Sequence, residues 1–171
     1  MKKTIITLNL VLFTIASLAQ SSFELIEKVE AEEGKVVIPY EKYKLPNNDL
    51  TLIIHEDHSD PIVHVQVAYH VGSARESVRN SGFAHFFEHM MFEGSRNVKE
   101  GEHFKIIGES GGVNNAYTSF DKTVYHQTAP KNMTEKLLWL EADRMGTHLE
   151  SFTQKQFENQ RETVKNEKRQ R

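Results

Sequence analysis

The sequence predicts an α+β fold in which a mixed or antiparallel sheet packs against helices and a metal site lies on one of those helices. Segments typical of strands come first, helical segments follow, and the same order returns in the second half of the chain. This order differs from the regular strand and helix alternation of a parallel sheet. The peptide His85-Phe86-Phe87-Glu88-His89 falls in the first helical segment and supplies candidate metal-binding residues.

Residues 1–19 have the features of a secretory signal peptide. Two lysines near the start are followed by an apolar run from Ile5 to Leu18, and small residues lead to a cleavage position after Ala19. The run is shorter than the roughly 18–20 apolar residues that a membrane span needs. We therefore expect an exported protein, periplasmic or secreted, without a stable membrane anchor.

The segment after the signal peptide, residues 20–34, is polar and acidic and predicts a mobile leader that could include a helical turn. The folded domain is then expected to cover residues 35–171. Its first two strands are predicted at residues 36–45 and 50–56, on either side of the turn-forming Pro46-Asn47-Asn48-Asp49.

The central part of the chain predicts a strand at residues 62–71 from its apolar and alternating pattern. Ser81 is the predicted N-cap of the next helix, which carries the five-residue motif and ends before Gly94. A second helix is predicted at residues 100–109, where Gly111-Gly112 ends it.

The second half of the chain predicts two more strands, at residues 113–119 and 122–128. Pro130 is expected to open a long helix that runs to about Leu149. The last segment, residues 153–171, is strongly charged and is also predicted to be helical.

Composition excludes some classes of function. The formal net charge is −3, and the lysines and arginines near the C-terminus alternate with glutamates, which is typical of a solvated helix face. We therefore expect no nucleic-acid partner. The chain has no cysteine, so that zinc ligands must be histidine, aspartate or glutamate. Such ligands favour a catalytic zinc over a structural one.

The spacing of the motif indicates its chemistry. His85 and His89 lie one turn apart on the same helix face, so that both imidazoles can bind one zinc ion. Glu88 is placed to act on a water molecule rather than to bind the metal. The order H-x-x-E-H is the inverzincin signature. The motif thus predicts a peptidase in which Glu88 is the general base for a zinc-activated water.

A catalytic zinc takes three protein ligands and leaves one position open. The candidates for the third ligand are Glu158, Glu162 and Glu167 in the last helix and His126 in a predicted strand. Spacing alone does not choose among them.

The alternative interpretation is that these are ordinary helix-face residues, since the chain contains nine histidines. Burial of a helix rich in Phe and Met would then leave two imidazoles and a carboxylate poorly satisfied. The metal-site interpretation is therefore preferred.

From residue 36 to residue 171 the sequence resembles the pitrilysin/insulinase family of zinc metallopeptidases, and within it the N-terminal metal-binding domain. The segment from Gly82 to Ser95 is similar to the family's metal helix along its full length. The segments from Asn115 to Tyr125 and from Leu140 to Met145 resemble the strand pair and the helix that follow in the family. The resemblance implies the pitrilysin-like fold, which LuxS shares.

The resemblance also implies a set of site residues. One Zn²⁺ is expected, held by His85, His89 and Glu167, with Glu162 as the fallback ligand. Many relatives carry an acidic residue seven positions before the ligating glutamate, where this chain has Gln160, so that the support of the metal site is expected to differ.

The family adds an extended peptide or an unfolded protein segment to an exposed sheet edge, which implies the same substrate mode here. The matching strand suggests that the Asn115 amide and the Ala116 backbone contact substrate. Phe92 is expected to line the adjacent specificity pocket. Plain sheet structure is the alternative interpretation of this strand.

Family members pair several such domains around a chamber, so that the resemblance implies an incomplete catalytic domain that belongs to a longer protein. It also implies a companion pitrilysin-like domain or subunit. Two functions remain, a zinc metalloendopeptidase or a non-catalytic partner or scaffold module of the same fold. The complete H-x-x-E-H motif favours the enzyme. A purely structural zinc protein is disfavoured by the missing cysteines and by Glu88.

Overall fold

The computed structural model describes residues 23–77, 79, 81–150 and 152–170. The predicted signal peptide therefore lies outside the described residues. The chain divides into two compact units, one that ends at Asp60 and one that begins at Pro61.

The first unit contains a three-stranded antiparallel sheet with the order β1-β2-β3. Its strands are β1 (Glu24–Val29), β2 (Tyr40–Lys44) and β3 (Thr51–Ile54). The two strands that the sequence predicts here are present but shorter, since β2 begins at Tyr40 and β3 ends at Ile54.

β1 corrects the expectation of a mobile leader with a helical turn, because residues 24–29 form a strand. Its three apolar residues, Leu25, Ile26 and Val29, do not alternate with polar ones, and every residue before Val29 is exposed, so that the segment carries no strand pattern of its own. Antiparallel pairing with β2 supplies its backbone hydrogen bonds. The hydroxyl of Tyr40 also donates to Glu27 Oε1 at 2.7 Å. Pairing between strands here overrides a weak local preference.

The second unit contains an antiparallel sheet with the order β4-β6-β5. Its strands are β4 (Ile62–Tyr69), β5 (Val113–Thr118) and β6 (Thr123–Pro130). The central strand β6 is the most buried of the three, whereas β5 forms one edge of the sheet. The expected α+β class is confirmed, with antiparallel sheets.

Four helices accompany this sheet, as the sequence predicts: α1 (Phe83–Met90), α2 (Glu102–Glu109), α3 (Thr134–Thr147) and α4 (Gln154–Gln170). Pro130 does not open α3, which corrects the prediction. It is the last residue of β6, and a 3₁₀ turn precedes the helix. A proline has no N–H to give to a ladder, so that the end of a strand accommodates it.

The core of the second unit lies between the sheet and the helices α2 and α3. It is built from Val98, Ile107, Ala129, Leu137 and Leu140. In the part of the chain that the structure describes, no helix combines the length and the apolar character needed to cross a bilayer.

A buried polar pair lies beside this core. Arg144 donates to Glu141 Oε1 at 2.5 Å, and both side chains are almost fully buried. The guanidinium carbon of Arg144 lies 4.3 Å from the ring centre of Tyr125 and 5.2 Å from that of Phe92. Gln127 donates a second hydrogen bond to Glu141 Oε1 at 3.0 Å. Arg144 of this polar pair thus contacts the rings of Tyr125 and Phe92, and Phe92 also lines the cavity beside the motif histidines.

Candidate metal centre

α1 brings its two motif histidines together. The spacing of four residues puts both imidazoles on one helix face, and their Nε2 atoms lie 3.2 Å apart. Glu167 reaches this pair from α4, with Oε2 at 3.3 Å from His85 Nε2 and Oε1 at 3.6 Å from His89 Nε2. One ligand atom from each residue lies within 4.8 Å of the others, and all three residues are partly buried.

The hydrogen bonding of His89 tests whether these residues fit a metal ion. Its Nδ1 lies 3.1 Å from Oε1 of Gln160, and an amide oxygen only accepts hydrogen bonds. Nδ1 therefore carries the proton, and the lone pair of Nε2 points to His85 and Glu167. Two imidazole nitrogens and a carboxylate are the donors of a catalytic zinc site. The donor set fits zinc.

The other predicted ligands lie elsewhere. Glu162 accepts a hydrogen bond from Lys165 at 2.8 Å, and this bond holds the pKa of its carboxyl below the usual value. His126 projects from β6 toward His64 of β4, with 6.0 Å between the ring centres. Glu158 pairs with Arg161 on the same helix. Of the four candidates, only Glu167 groups with His85 and His89.

Glu88 precedes the second histidine and is buried. Its Oε2 accepts a hydrogen bond from the hydroxyl of Thr118 at the end of β5. Among the described residues, no hydrogen bond reaches its other carboxylate oxygen. That oxygen is free to accept a proton from a water molecule beside the cluster.

A glutamate in the preceding loop caps α1. Oε2 of Glu76 accepts the backbone N–H of Gly82, and Oε1 accepts that of Ala84, both at 2.7 Å. The prediction that Ser81 caps this helix is wrong, because the cap residue is Gly82, whose φ of 99° favours glycine. Sequence spacing gave no signal for Glu76, since the loop lies between it and the helix.

Glu93 joins the end of α1 to α4. Gln160 donates to its Oε1 at 2.5 Å, and Gln156 donates to its backbone carbonyl at 2.9 Å. Burial raises the pKa of the Glu93 carboxyl, and the hydrogen bond from Gln160 opposes that effect. Phe157 packs edge-on against Phe86, with ring centres 5.0 Å apart.

Two cavities flank the cluster. The larger, of about 520 Å³, is partly walled by Phe92, which stacks on Phe104 with ring centres 4.7 Å apart. The smaller, of about 300 Å³, lies toward Ala116 and Thr118. Both cavities are lined by His85 and Glu88, so that the candidate base is accessible from either side.

The edge strand β5 runs beside both cavities. Ser119 donates its backbone N–H to Lys122, so that these two residues form a hydrogen-bonded pair at the turn to β6. The antiparallel alternation then turns the N–H of Ala116 away from β6, toward the edge of the sheet, which pairs with no other strand among the described residues. That N–H donates to Oδ1 of Asn115 at 2.9 Å. The side chain of Asn115 thus covers the outward-facing donor of Ala116.

Comparison with known proteins identifies relatives of the chain. The family model described as "Insulinase (Peptidase family M16)" matches residues 51–170. Zinc protease PqqE of Helicobacter pylori is 35% identical over 130 residues, which are 76% of this chain and 29% of the relative. The probable mitochondrial-processing peptidase subunit beta of Schizosaccharomyces pombe is 37% identical over 79 residues, which are 46% of this chain and 17% of the relative.

Solved structures agree with these relatives. The crystal structure of a protease from Helicobacter pylori superposes with a TM-score of 0.73 at 35% identity, over 77% of this chain and 31% of that one. Pitrilysin shares the fold, with a TM-score of 0.66 at 20% identity over 76% of this chain and 14% of pitrilysin. The chain therefore spans about three tenths of the length of the first relatives that it matches. The match of residues 51–170 confirms the resemblance seen in the sequence: the chain belongs to the insulinase family, peptidase family M16.

Proposed function

We propose that this chain is the metal-binding part of a zinc-dependent endopeptidase that hydrolyses peptides or unfolded protein segments. The observation that carries the proposal is the convergence of His85, His89 and Glu167, with the carboxylate of Glu88 beside them. Membership of a family whose relatives are named zinc proteases supports it.

His85, His89 and Glu167 would hold the metal. A zinc ion bound there would lower the pKa of a water molecule toward neutrality and would polarise the scissile carbonyl. Glu88 would accept the proton of that water at the carboxylate oxygen that Thr118 leaves free, and would then deliver it to the leaving amine. The hydrogen bond from Thr118 keeps the other oxygen in place during both transfers.

Substrate binding is proposed at the open edge of β5. An extended peptide would replace the side chain of Asn115 as the partner of the Ala116 N–H and so add a strand to the sheet. The peptide would then run past both cavities. The larger cavity, walled by Phe92 and Phe104, would take a substrate side chain next to the scissile bond.

Zinc stoichiometry tests the metal site directly. The wild-type chain, Glu88→Gln and Glu162→Gln are each expected to hold one zinc, because none of these changes removes a proposed ligand. Glu167→Gln is expected to lose it. A well-folded wild-type chain that binds no zinc would contradict the metal site and favour a non-catalytic partner module instead.

Peptide hydrolysis tests the chemistry. Because the chain covers only about three tenths of the Helicobacter pylori relative, we propose that a companion domain or subunit completes the active enzyme. With the companion present, Glu88→Gln is expected to keep zinc and to lose turnover. Glu162→Gln, the matched control, is expected to keep both. Equal turnover of Glu88→Gln and wild type would rule out Glu88 as the base.

Export is proposed from residues 1–19, whose sequence is typical of a signal peptide. Cell fractionation of the full chain and of a version without these residues tests it. The full chain is expected outside the cytoplasm, and the shortened version inside. Equal distribution of the two would contradict the proposal.

A further inference from the structure

α4 carries Glu167 but has no fully buried residue. A helix normally keeps its place by burying an apolar face, and this one offers little apolar surface. Glu167 must nevertheless be placed accurately, because its carboxylate lies near two imidazole nitrogens at once. Contacts other than apolar burial must contribute to the register of α4 along α1.

Two glutamines of α4 donate hydrogen bonds to Glu93, which follows α1. Gln156 donates to the backbone carbonyl of Glu93, and Gln160 donates to its carboxylate. Gln160 and Glu167 are seven residues apart, about two turns, and so lie on the same face of the helix. We call Glu93, Gln156 and Gln160 the glutamine clamp. A helix held at the clamp presents Glu167 two turns farther along to His85 and His89.

The chemistry of Gln160 suits this place. Its amide oxygen accepts from His89 Nδ1, and its amide nitrogen donates to Glu93 Oε1. A side-chain amide offers an acceptor and donors side by side on one planar group. A carboxylate at position 160 would serve His89 equally well. It would, however, face the carboxylate of buried Glu93 at hydrogen-bonding distance, where like charges repel.

We propose that Glu93 and Gln160 are positioning residues that set the register of α4 against the end of α1 and thereby bring Glu167 to the two histidines. The inference rests on the proposed function, in which these three residues hold zinc. It adds a reason for a glutamine at position 160: the amide there is matched to the carboxylate of Glu93.

A reciprocal exchange in the full chain tests the match. Gln160→Glu is expected to weaken zinc binding about 10- to 100-fold, the usual range for residues that orient a metal ligand. Glu93→Gln with Gln160→Glu restores one amide and one carboxylate in reversed order, and is expected to recover most of that loss. Asn159→Asp is the control, because it makes the same change of charge at an exposed neighbour on the same helix.

Amide hydrogen exchange of α4 in the metal-free chain provides a second readout that does not depend on zinc. Gln160→Glu is expected to speed exchange in residues 154–170, and the double variant is expected to slow it again. The inference would be overturned if the double variant bound zinc no more tightly and exchanged its α4 amides no more slowly than Gln160→Glu. It would also be overturned if Gln160→Glu and Asn159→Asp had the same zinc affinity and the same amide exchange. A wild-type chain that binds no zinc would overturn the proposed function. The amide hydrogen exchange rates of α4 in the metal-free chain would still decide whether the clamp holds the helix.

Discussion

The hydroxyl of Thr118, the last residue of β5, donates a hydrogen bond to Oε2 of Glu88 on α1. The same hydroxyl lies 3.3 Å from that of Thr123, which donates to the backbone carbonyl of Val71 at 2.9 Å. The candidate base is therefore oriented by the end of the β5–β6 hairpin as well as by its own helix. Its carboxylate cannot rotate freely without breaking this bond.

Thr118→Val is expected to keep zinc and to lower peptide turnover about 10- to 100-fold, because it removes the hydroxyl and keeps the shape. Steady-state hydrolysis and zinc content, measured with the companion present, check it. Thr118→Ser retains a hydroxyl and is the matched control, expected to stay close to wild type. Turnover of the valine variant equal to that of wild type would show that this bond does not orient the base.

Gly72→Ala is expected to lower the free energy of unfolding by about 1–3 kcal/mol. A Cβ at Gly72 would lie 2.6 Å from the backbone of Ser119 and Phe120, where no flexible side chain can move aside. Gly146→Ala is the control, since nothing lies within 4 Å of a Cβ there and the residue is in α3. It is expected to be neutral or to stabilise by about 0.5–1 kcal/mol. Urea unfolding of both variants measures the difference.

Arg144→Leu is expected to cost about 3–5 kcal/mol of unfolding free energy, because it leaves the carboxylate of Glu141 buried without its cation. Changing Glu141 to Leu as well should recover part of the loss. The exposed pair of Arg96 and Glu150 is the comparison, where Arg96→Leu should cost far less because solvent screens both charges. If the single and double variants of the buried pair unfold alike, the unpaired charge is not the cause.

The stability of the metal-free chain is expected to fall as the pH drops below about 6.5, the pKa of histidine in an unfolded chain. Burial lowers the pKa of His103 to about 3 and that of His148 to about 4. Both stay neutral in the folded chain while the unfolded chain takes up protons. Each therefore contributes stability above pH 6.5 that is lost toward the folded pKa, at up to about 1.4 kcal/mol per pH unit.

Unfolding free energies between pH 8 and pH 5, measured with a chelator present, check this dependence. His103→Gln cannot titrate in that range and is expected to show a shallower slope than wild type. An exposed residue that does not titrate provides the control, and Asn159→Gln should leave the slope unchanged. A wild-type slope no steeper than that of His103→Gln would contradict the assignment.

The parts of the site that the sequence predicts lie within one helix. Helix geometry alone fixes His85, Glu88 and His89 relative to one another, so that their separation along the sequence is enough to predict that they lie close together. Glu167 belongs to another helix, and spacing alone did not choose among Glu158, Glu162, Glu167 and His126 as the third ligand. The resemblance to a known family selected it, and the same carboxylate lies beside the histidines in the fold.

The contacts that the sequence did not predict are those between distant side chains. Glu76 accepts a backbone N–H at the start of α1 from across a loop. Ser81 is a residue type that commonly caps helices and stands next to the helix, but the N-cap is Gly82. Gln160 and Glu93 meet only because α4 folds back along α1. β1 was missed for a related reason, since its partner strand and not its own pattern makes it a strand.

The open edge of β5 has a consequence for the protein in solution. An unpaired strand edge accepts any extended chain, including the same edge of a second molecule, and is a common route to aggregation. The side chain of Asn115 covers the outward N–H of Ala116 and so removes one donor from that edge while no peptide is bound. Because Asn115 covers this donor, it is expected to oppose self-association, so that the solubility of the protein at high concentration depends on this edge strand.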